Sequence, residues 1–418
     1  MEEFVLSKVE VLLEQKKYAE ARNMLADLLR QDPNNPQYLS LMAELNLQLD
    51  EYTHAETLIN QAIAQQPDNP HLFYIKSRIA SLQNKLNDAE TNIQQAIQLD
   101  PYDADYFAMA ASFKLAKKDF EGALELANQA LAIDAENLLA LNMRSTALTK
   151  LGRKDESFET IEYALRDDPN NSYTHSNFGW GLLEQGNHKK ALEHFRISLM
   201  NDPSSEHAQS GMLEAIKATN PIYRAYLRYA FWMANLQGKL QWGFIIGFYL
   251  TQRVLRSLAD NNPALSPYIT PILLVLVLFA FSTWIINPVS NLLLRFHKFG
   301  RYLLDPQETK NANLVAICAG IGLVGLLLFI ILRENGFIAL AIFGFSMMLP
   351  LGQFFSTLRY KKILQVGAII IAVFGLLALV STFLTGEIFN ALTGIYAVLF
   401  IIYQFVANKI MIDEQNGN

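Results

Sequence analysis

Long, unbroken apolar runs fill the second half of this 418-residue chain. They cover residues 268–286, 314–332, 337–355, 364–384 and 388–407, each about the length needed to cross a bilayer, with short polar or charged joints between them. Helices apolar on every side have no polar face to turn toward water, so the pattern predicts five membrane-spanning helices and not a soluble core. A sixth candidate, residues 241–258, is weaker. It is apolar over 242–250 but then carries Arg253 and Arg256, which must snorkel to the interface.

The first half is punctuated instead. Pro33, Pro67, Pro101, Pro169 and Pro203 stand on one 34-residue grid whose single vacancy holds Ala135, and aspartate precedes the grid at Asp32, Asp100, Asp134, Asp168 and Asp202. Proline lacks the amide donor and restrains the residue before it, so Asp-Pro marks a helix end and a following turn. Small residues recur twelve positions upstream, at Ala21, Ala55, Ala89, Ala123, Ser157 and Ala191, with a second series at Ala43, Ser77, Ala111, Ser145 and Gly179. Where two helices cross, larger side chains would push the backbones apart. The pattern predicts six copies of a helix–turn–helix unit over residues 2–205, stacked because no copy can bury its faces alone.

These features together resemble the tetratricopeptide repeat (TPR), over half of the chain. The likeness extends to bulky residues near the start of the first helix (Leu39, Phe73, Phe107, Leu141), a second alanine series (Ala62, Ala96, Ala130, Ala164) and Gly152 and Gly186 before the second helix. It departs where the family usually has tyrosine late in the first helix, here Asn46, Ala80, Lys114, Leu148 and Leu182, and the first copy is degenerate, as suits a terminal cap. The resemblance implies an all-α fold: a right-handed TPR helical solenoid followed by a polytopic transmembrane helical domain, as in bacterial-type multi-spanning membrane TPR proteins of unassigned role.

It also implies a concave groove, lined by the first helices, that binds a protein or peptide partner. The family's groove positions fall on Gln37, Ser40 and Glu44; His71, Tyr74 and Arg78; Asp105, Ala108 and Ser112; Asn142 and Thr146; and Tyr173, Ser176 and Trp180. Tyr74, Tyr173 and Trp180 are expected as exposed hot spots and Arg78 as a contact for an anion or carboxylate, with packing between adjacent repeats the alternative use of each. Domains of this family that clamp chaperone tails use Lys and Asn at matching positions. Ser40, Glu44, Tyr74, Ala108, Ser112 and Thr146 stand there instead, which argues against such a clamp.

Charge supplies an orientation. The start Met1-Glu2-Glu3 lacks the basic and apolar regions of a signal peptide, so the repeats are expected in the cytoplasm. With residues 241–258 crossing, Arg295, Lys298, Arg301, Lys310, Arg359, Lys361, Lys362 and Lys409 face the cytoplasm while Arg253, Arg256 and Arg333 do not; with five spans the bias inverts. Six spans with both termini inside, in a bacterial cytoplasmic membrane, is therefore the expectation. Residues 1–220 hold 33 acidic and 20 basic side chains, and residues 221–418 hold 7 and 14. An acidic repeat surface disfavours nucleic acid and suits a basic or amphipathic partner.

Between the halves, residues 221–240 combine Tyr223, Tyr226, Leu227, Phe231 and Trp232 with Arg224, Arg228 and Lys239. Rings and basic groups favour the headgroup zone, so Arg224, Arg228, Trp232 and Lys239 are membrane-surface candidates; a capping helix on the sixth repeat is the other reading, and the two can coexist. The stretch from Asn220 to Arg224, with Leu227, Arg228 and Tyr229, resembles a junction in bacterial membrane TPR proteins. The expected organisation is a solenoid over 1–219, an amphipathic helix over 220–240, about six spans over 241–410 and a polar tail over 411–418.

Catalytic signals are thin. Gly320, Gly322 and Gly325 fit a dinucleotide fingerprint in spacing, but they lie inside an apolar run, where Ala316, Gly320 and their neighbours suit close helix approach. No two histidines are three or four apart, and surface placement is expected for them. Lone Cys318 lies mid-span as a packing residue. No cofactor, metal or catalytic residue is predicted. The strong spans carry no ionisable residue near their middles, which weighs against an ion-coupled carrier. A membrane-anchored scaffold is the favoured function, and a small-solute or lipid transporter regulated by its repeats, using Ser346, Gln353, Asn390, Thr393 or Gln404, is the alternative.

Overall fold

A computed structural model describes residues 2–236, 238–296, 304–355 and 360–417, and among them it contains helices and turns but no strand. Six helix pairs come first: α1 (Glu2–Glu14) with α2 (Tyr18–Gln31), α3 (Pro36–Gln48) with α4 (Tyr52–Gln65), α5 (Pro70–Leu82) with α6 (Leu86–Leu99), α7 (Ala104–Ala116) with α8 (Phe120–Ile133), α9 (Leu138–Lys150) with α10 (Lys154–Asp167), and α11 (Ser172–Glu184) with α12 (His188–Asn201).

Local chemistry sets these boundaries. After α6, α8, α10 and α12 the grid aspartates Asp100, Asp134, Asp168 and Asp202 each accept a hydrogen bond from the backbone amide two residues on, closing a turn over the grid position. Asn35, Asn69, Asp103, Asn137 and Asn171 then cap α3, α5, α7, α9 and α11, each side-chain oxygen accepting from a first-turn amide. Pro36 and Pro70 occupy the first helical position, where a missing amide costs nothing. Within each pair the chain reverses through one left-handed residue, at Lys16, Asp50, Asn84, Lys118, Gly152 and Gly186, again 34 apart.

Both small-residue series are buried where the paired helices cross. Ala21, Ala43, Ala55, Ser77, Ala89, Ala111, Ala123 and Ala191 have no exposed surface. Ser145 and Ser157 face each other at 2.9 Å, oxygen to oxygen, so the one copy with serine in both series hydrogen-bonds across its seam. Leu25, Ile59, Ile93, Ile161 and Phe195 fill the core beside them.

The chain divides into two compact units, Met1–Gly211 and Met212–Asn418, with the division inside α13 (Glu206–Lys217). The second unit continues through α14 (Pro221–Asn235), α15 (Gly238–Asn261), α16 (Ser266–Phe296), α17 (Pro306–Leu332), α18 (Asn335–Leu351), α19 (Lys361–Thr385) and α20 (Ala391–Gly417). A capping box of Asp305 and Glu308 starts α17, and left-handed residues stop α17 at Arg333 and α19 at Gly386.

Three of the five expected spans, α17, α19 and the 391–410 part of α20, are long and apolar enough to cross a bilayer. The other two are apolar but shorter among the described residues, at Ser266–Val277 and Asn335–Leu351. The weaker segment lies within the continuous helix α15 but does not meet that standard among the described residues.

Glycines govern how α17 and α18 pack. A Cβ on Gly325 would sit 2.6 Å from the Ala341 amide nitrogen, and one on Gly344 would collide with the amide nitrogen of Gly322, so the two backbones touch. Gly320 corrects the sequence expectation: nothing lies within 4 Å of a Cβ built there, and the close approach belongs to Gly322 and Gly325. Cys318 is buried in the core that α17 shares with α18, α19 and α20, beside Met347, Leu364, Ala368 and Tyr403.

Candidate partner-binding groove

The first helices of copies two to four bring one set of expected groove residues together. Arg78 Nη1 lies 3.4 Å from Glu44 Oε1, and His71 Nε2 lies 4.0 Å from the same oxygen. Tyr74 stacks on His71 at 5.8 Å between ring centres and leans on Tyr106 at 5.4 Å, while the Arg78 guanidinium covers the Tyr74 ring at 5.7 Å. Tyr74 is thus half-buried within an aromatic ladder, not freely exposed, and Arg78 is already paired. Burial raises the pKa of Tyr74, Arg78 opposes, and Asp105, Glu44 and Asp103 add to the rise. Tyr106 is raised too, by burial and then by Asp103 and Asp100. Four carboxylates, Glu44, Asp100, Asp103 and Asp105, thus surround this ladder against the single Arg78 guanidinium. Asp105 is exposed and accepts from Asn137 Nδ2 at 2.7 Å.

A second set meets in copies five and six. Asn142 is fully buried and donates to Thr174 Oγ1 at 2.9 Å and to the Leu138 carbonyl at 2.8 Å. Asn177 Nδ2 donates to Asn142 Oδ1, and Trp180 Nε1 donates to the His207 carbonyl at 3.1 Å with its ring beside the His207 imidazole. Thr146 donates to the Asn142 carbonyl, and Tyr173 stands exposed at 49 % of its surface. Ser40, Ser112 and Ser176 turn their hydroxyls onto carbonyls three residues back in their own helices, at Gln37, Met109 and Tyr173. Ser40, Ala108, Asn142 and Ser176 are buried, whereas Gln37 and His71 are exposed. Burial separates the expected positions into those that tie neighbouring copies together and those that face outward.

Sequence reasoning passed over Tyr106, Asn177 and His207. Tyr106 had a signal, since Tyr38 occupies the same register two copies earlier. Asn177 lies four residues after Tyr173 and three before Trp180, on their helix face. His207 had none.

The expected surface placement of the histidines fails at His175. It is 4 % exposed, its Nδ1 lies 2.9 Å from His194 Nδ1, and its Nε2 lies 3.0 Å from the Pro169 carbonyl. The carbonyl needs a proton on His175 Nε2, so in the neutral pair His194 Nδ1 donates and His175 Nδ1 accepts. The His194 pKa is pulled down to about 4, first by burial and then by His175 and Lys190. Nineteen residues separate the two, so no spacing rule could join them. Among the described residues no three metal-ligating side chains come together.

Of the membrane-surface candidates, Arg224 donates to the carbonyls of Ala218 and Thr219 and so closes the end of α13, while Tyr223 donates to Glu214 at 2.6 Å. Arg228 and Trp232 are exposed on one face of α14, with Trp232 edge-on to Phe244. The side chain of Lys239, with His297, Lys298, Arg301 and Arg359, lies outside the described residues. Asn335 Nδ2 donates to the Gly386 carbonyl, and Phe355 N and the Phe354 carbonyl bond Asn311 and Gln365. These contacts put Lys310, Lys361 and Lys362 at one end of the helical unit and Arg333, Glu334 and Glu387 at the other.

Residues 12–79 and 109–172 match two family models, each described as tetratricopeptide repeat. The solved structures similar to this chain include a thermophilic TPR protein of Thermus thermophilus (18 % identity, 43 % of this chain, 98 % of that one, TM-score 0.41). A tetratricopeptide repeat protein from Parabacteroides merdae has 14 % identity, over 51 % of this chain and 83 % of that one, at TM-score 0.45. The pilF protein of Pseudomonas aeruginosa has 15 % identity, over 50 % and 95 %, at TM-score 0.40. The comparison with curated proteins gave no match.

Proposed function

The chain is a tetratricopeptide-repeat protein, and from that premise we propose that it is a membrane-anchored scaffold that binds a protein partner in the groove of its first helices. The observation that carries this reading is the ladder of His71, Tyr74 and Tyr106 across successive copies, framed by Glu44, Asp103 and Asp105. Exposed His71 and half-buried Tyr74 offer flat contact area at low entropic cost, buried Tyr106 backs them from the core, and the carboxylates around them favour a basic segment flanked by apolar residues. No step of chemistry is required of the protein. Recruitment works by confinement: a partner held beside the bilayer meets other membrane components at a raised effective concentration.

Anchoring is supported by the bilayer-length apolar helices α17, α19 and α20. With α15 also crossing there are six spans, Lys310, Lys361, Lys362 and Lys409 lie on the cytoplasmic side, and the repeats lie there too. Arg228 and Trp232 on α14 then suit the headgroup layer.

The test is cross-linking and recovery of partners from native membranes, comparing the intact chain with a Tyr74→Ala, Arg78→Ala, Tyr173→Ala variant of unchanged helicity. Loss of a partner from the variant alone supports the groove. Recovery of the same proteins by both forms sinks it.

A further inference from the structure

Between α18, α19 and α20 lies a recess of about 620 Å³, within the size range of roughly 300 to 1,000 Å³ of small-ligand sites. Its walls are Phe343, Leu379, Ile388, Phe389 and Phe400, and small residues at Ala339, Gly375, Ala378 and Gly394 hollow it out. Four polar side chains touch it, and the protein already uses each of them. Asn390 accepts from the amides of Leu392 and Thr393 and donates to Thr382 and the Glu387 carbonyl, and Thr393 bonds back to Asn390, so both serve the start of α20. Ser346 donates to the Phe343 carbonyl and therefore accepts from Tyr396, 2.5 Å away. No donor remains aimed into the space for a polar solute.

The shape of the recess matches one occupant. Its lining on α20 runs from Asn390, just before the helix, to Ile401, about 16 Å at 1.5 Å per residue. One end of the lining, at Ala339, Ile388 and Asn390, lies close in sequence to Asn335 and Gly386, which bond each other at the ends of α18 and α19, and the lining continues inward to Ser346, Gly375 and Ile401. Half of a hydrocarbon core of about 30 Å is about 15 Å. We propose that this recess holds the acyl chain of a lipid from the leaflet at the Asn390 end. The inference rests on the membrane-spanning reading above and gives that half of the protein a lipid-binding site. An apolar chain would enter without breaking a protein hydrogen bond, and the largely exposed Phe389 ring lines the end beside Asn390.

Gly394 supplies the test: it lines the recess and nothing lies within 4 Å of a Cβ built there, so Gly394→Leu adds bulk to that wall with room at its Cβ and with better helix propensity. The full-length protein is reconstituted in nanodiscs of phosphatidylcholine, part of it bearing a diazirine in its acyl chain, and the photo-adducts are mapped by mass spectrometry. Adducts are expected to concentrate on residues 388–401, to fall at least fivefold there in Gly394→Leu, and to persist in the control Gly320→Leu, whose added side chain also meets open space. Recess adducts no more frequent than those at exposed Ile331 and Val373, or unchanged by Gly394→Leu, overturn the proposal while leaving the spans in place. Absence of adducts at Ile331 and Val373 as well overturns the membrane reading and the recess with it.

Discussion

Gly179 faces Phe195 across the sixth helix pair so closely that a Cβ on Gly179 would lie 2.7 Å from Phe195 Cε1. The same two register positions hold Ala43 with Ile59, Ser77 with Ile93, Ala111 with Ala127 and Ser145 with Ile161 in earlier copies. A large ring is tolerated here because the facing residue has no side chain, and Gly211 makes room on another side. Gly179→Ala should therefore cost about 1–3 kcal/mol by overpacking. Adding Phe195→Ile should recover part of that loss, because it reproduces the alanine–isoleucine pairing of Ala43 with Ile59 in the second copy. Denaturant titration of the four proteins of this cycle measures the coupling; strictly additive losses would refute the steric account.

Gly152 adopts φ of +77° with no atom near a built Cβ, so its role is conformational alone. Gly152→Ala should lower stability by about 1 kcal/mol, the ordinary cost of a left-handed L-residue. The loss should show as faster hydrogen exchange in α9 and α10. Equal protection in both proteins would rule the cost out.

The His175–His194 pair predicts an acid-labile seam. In the unfolded chain His194 takes up a proton near its ordinary value of 6.5, whereas in the folded pair it stays neutral down to about 4. Between those values the unfolded state binds more protons, so stability rises with pH across this window and its contribution is lost as pH falls from about 6.5 toward 4. Thermal unfolding between pH 7.5 and 5 should show that slope, and His194→Leu should flatten it. An unchanged slope in the variant would assign the effect to other groups.

Glycines on α17 should differ sharply according to what they face. Gly325→Leu drives a side chain into the α18 backbone and should separate the two helices, with a loss of several kcal/mol, while Gly320→Leu should be nearly neutral in detergent. Thermal aggregation in one detergent compares them directly. Equal losses would mean that α17 and α18 do not pack as described.

The Glu44–Arg78 pair is part-exposed, so its worth to stability should be small, about 0–1 kcal/mol. Glu44→Gln should leave folding intact yet release Arg78, weakening recovery of a basic partner in the native-membrane assay. Unaltered recovery would place the partner elsewhere on the repeats.

The repeat fold was legible because its determinants are local and periodic. Asp-Pro stops, Asn and Asp caps and alanine at each crossing act within one copy, and the same solution recurs 34 residues on. The proposed groove rests on register alone, which nominates Tyr74 and Arg78 as lining positions, while the contacts of Tyr74 with Tyr106 and of Arg78 with Glu44 depend on the neighbouring copies. The glycines of α17 show the same limit, since composition marks a close approach but helix rotation decides that Gly322 and Gly325 make it and Gly320 does not.

By itself, then, the sequence determined the six stacked helix pairs, the apolar material of the second half and the helix ends, because each follows from a few adjacent residues and the requirements of their backbone groups. Tertiary structure alone decided which polar groups are spent inside the fold. His175 meets His194, Asn142 meets Thr174, and Ser346 meets Tyr396 across 19, 32 and 50 residues, and those distances close only when whole helices have packed.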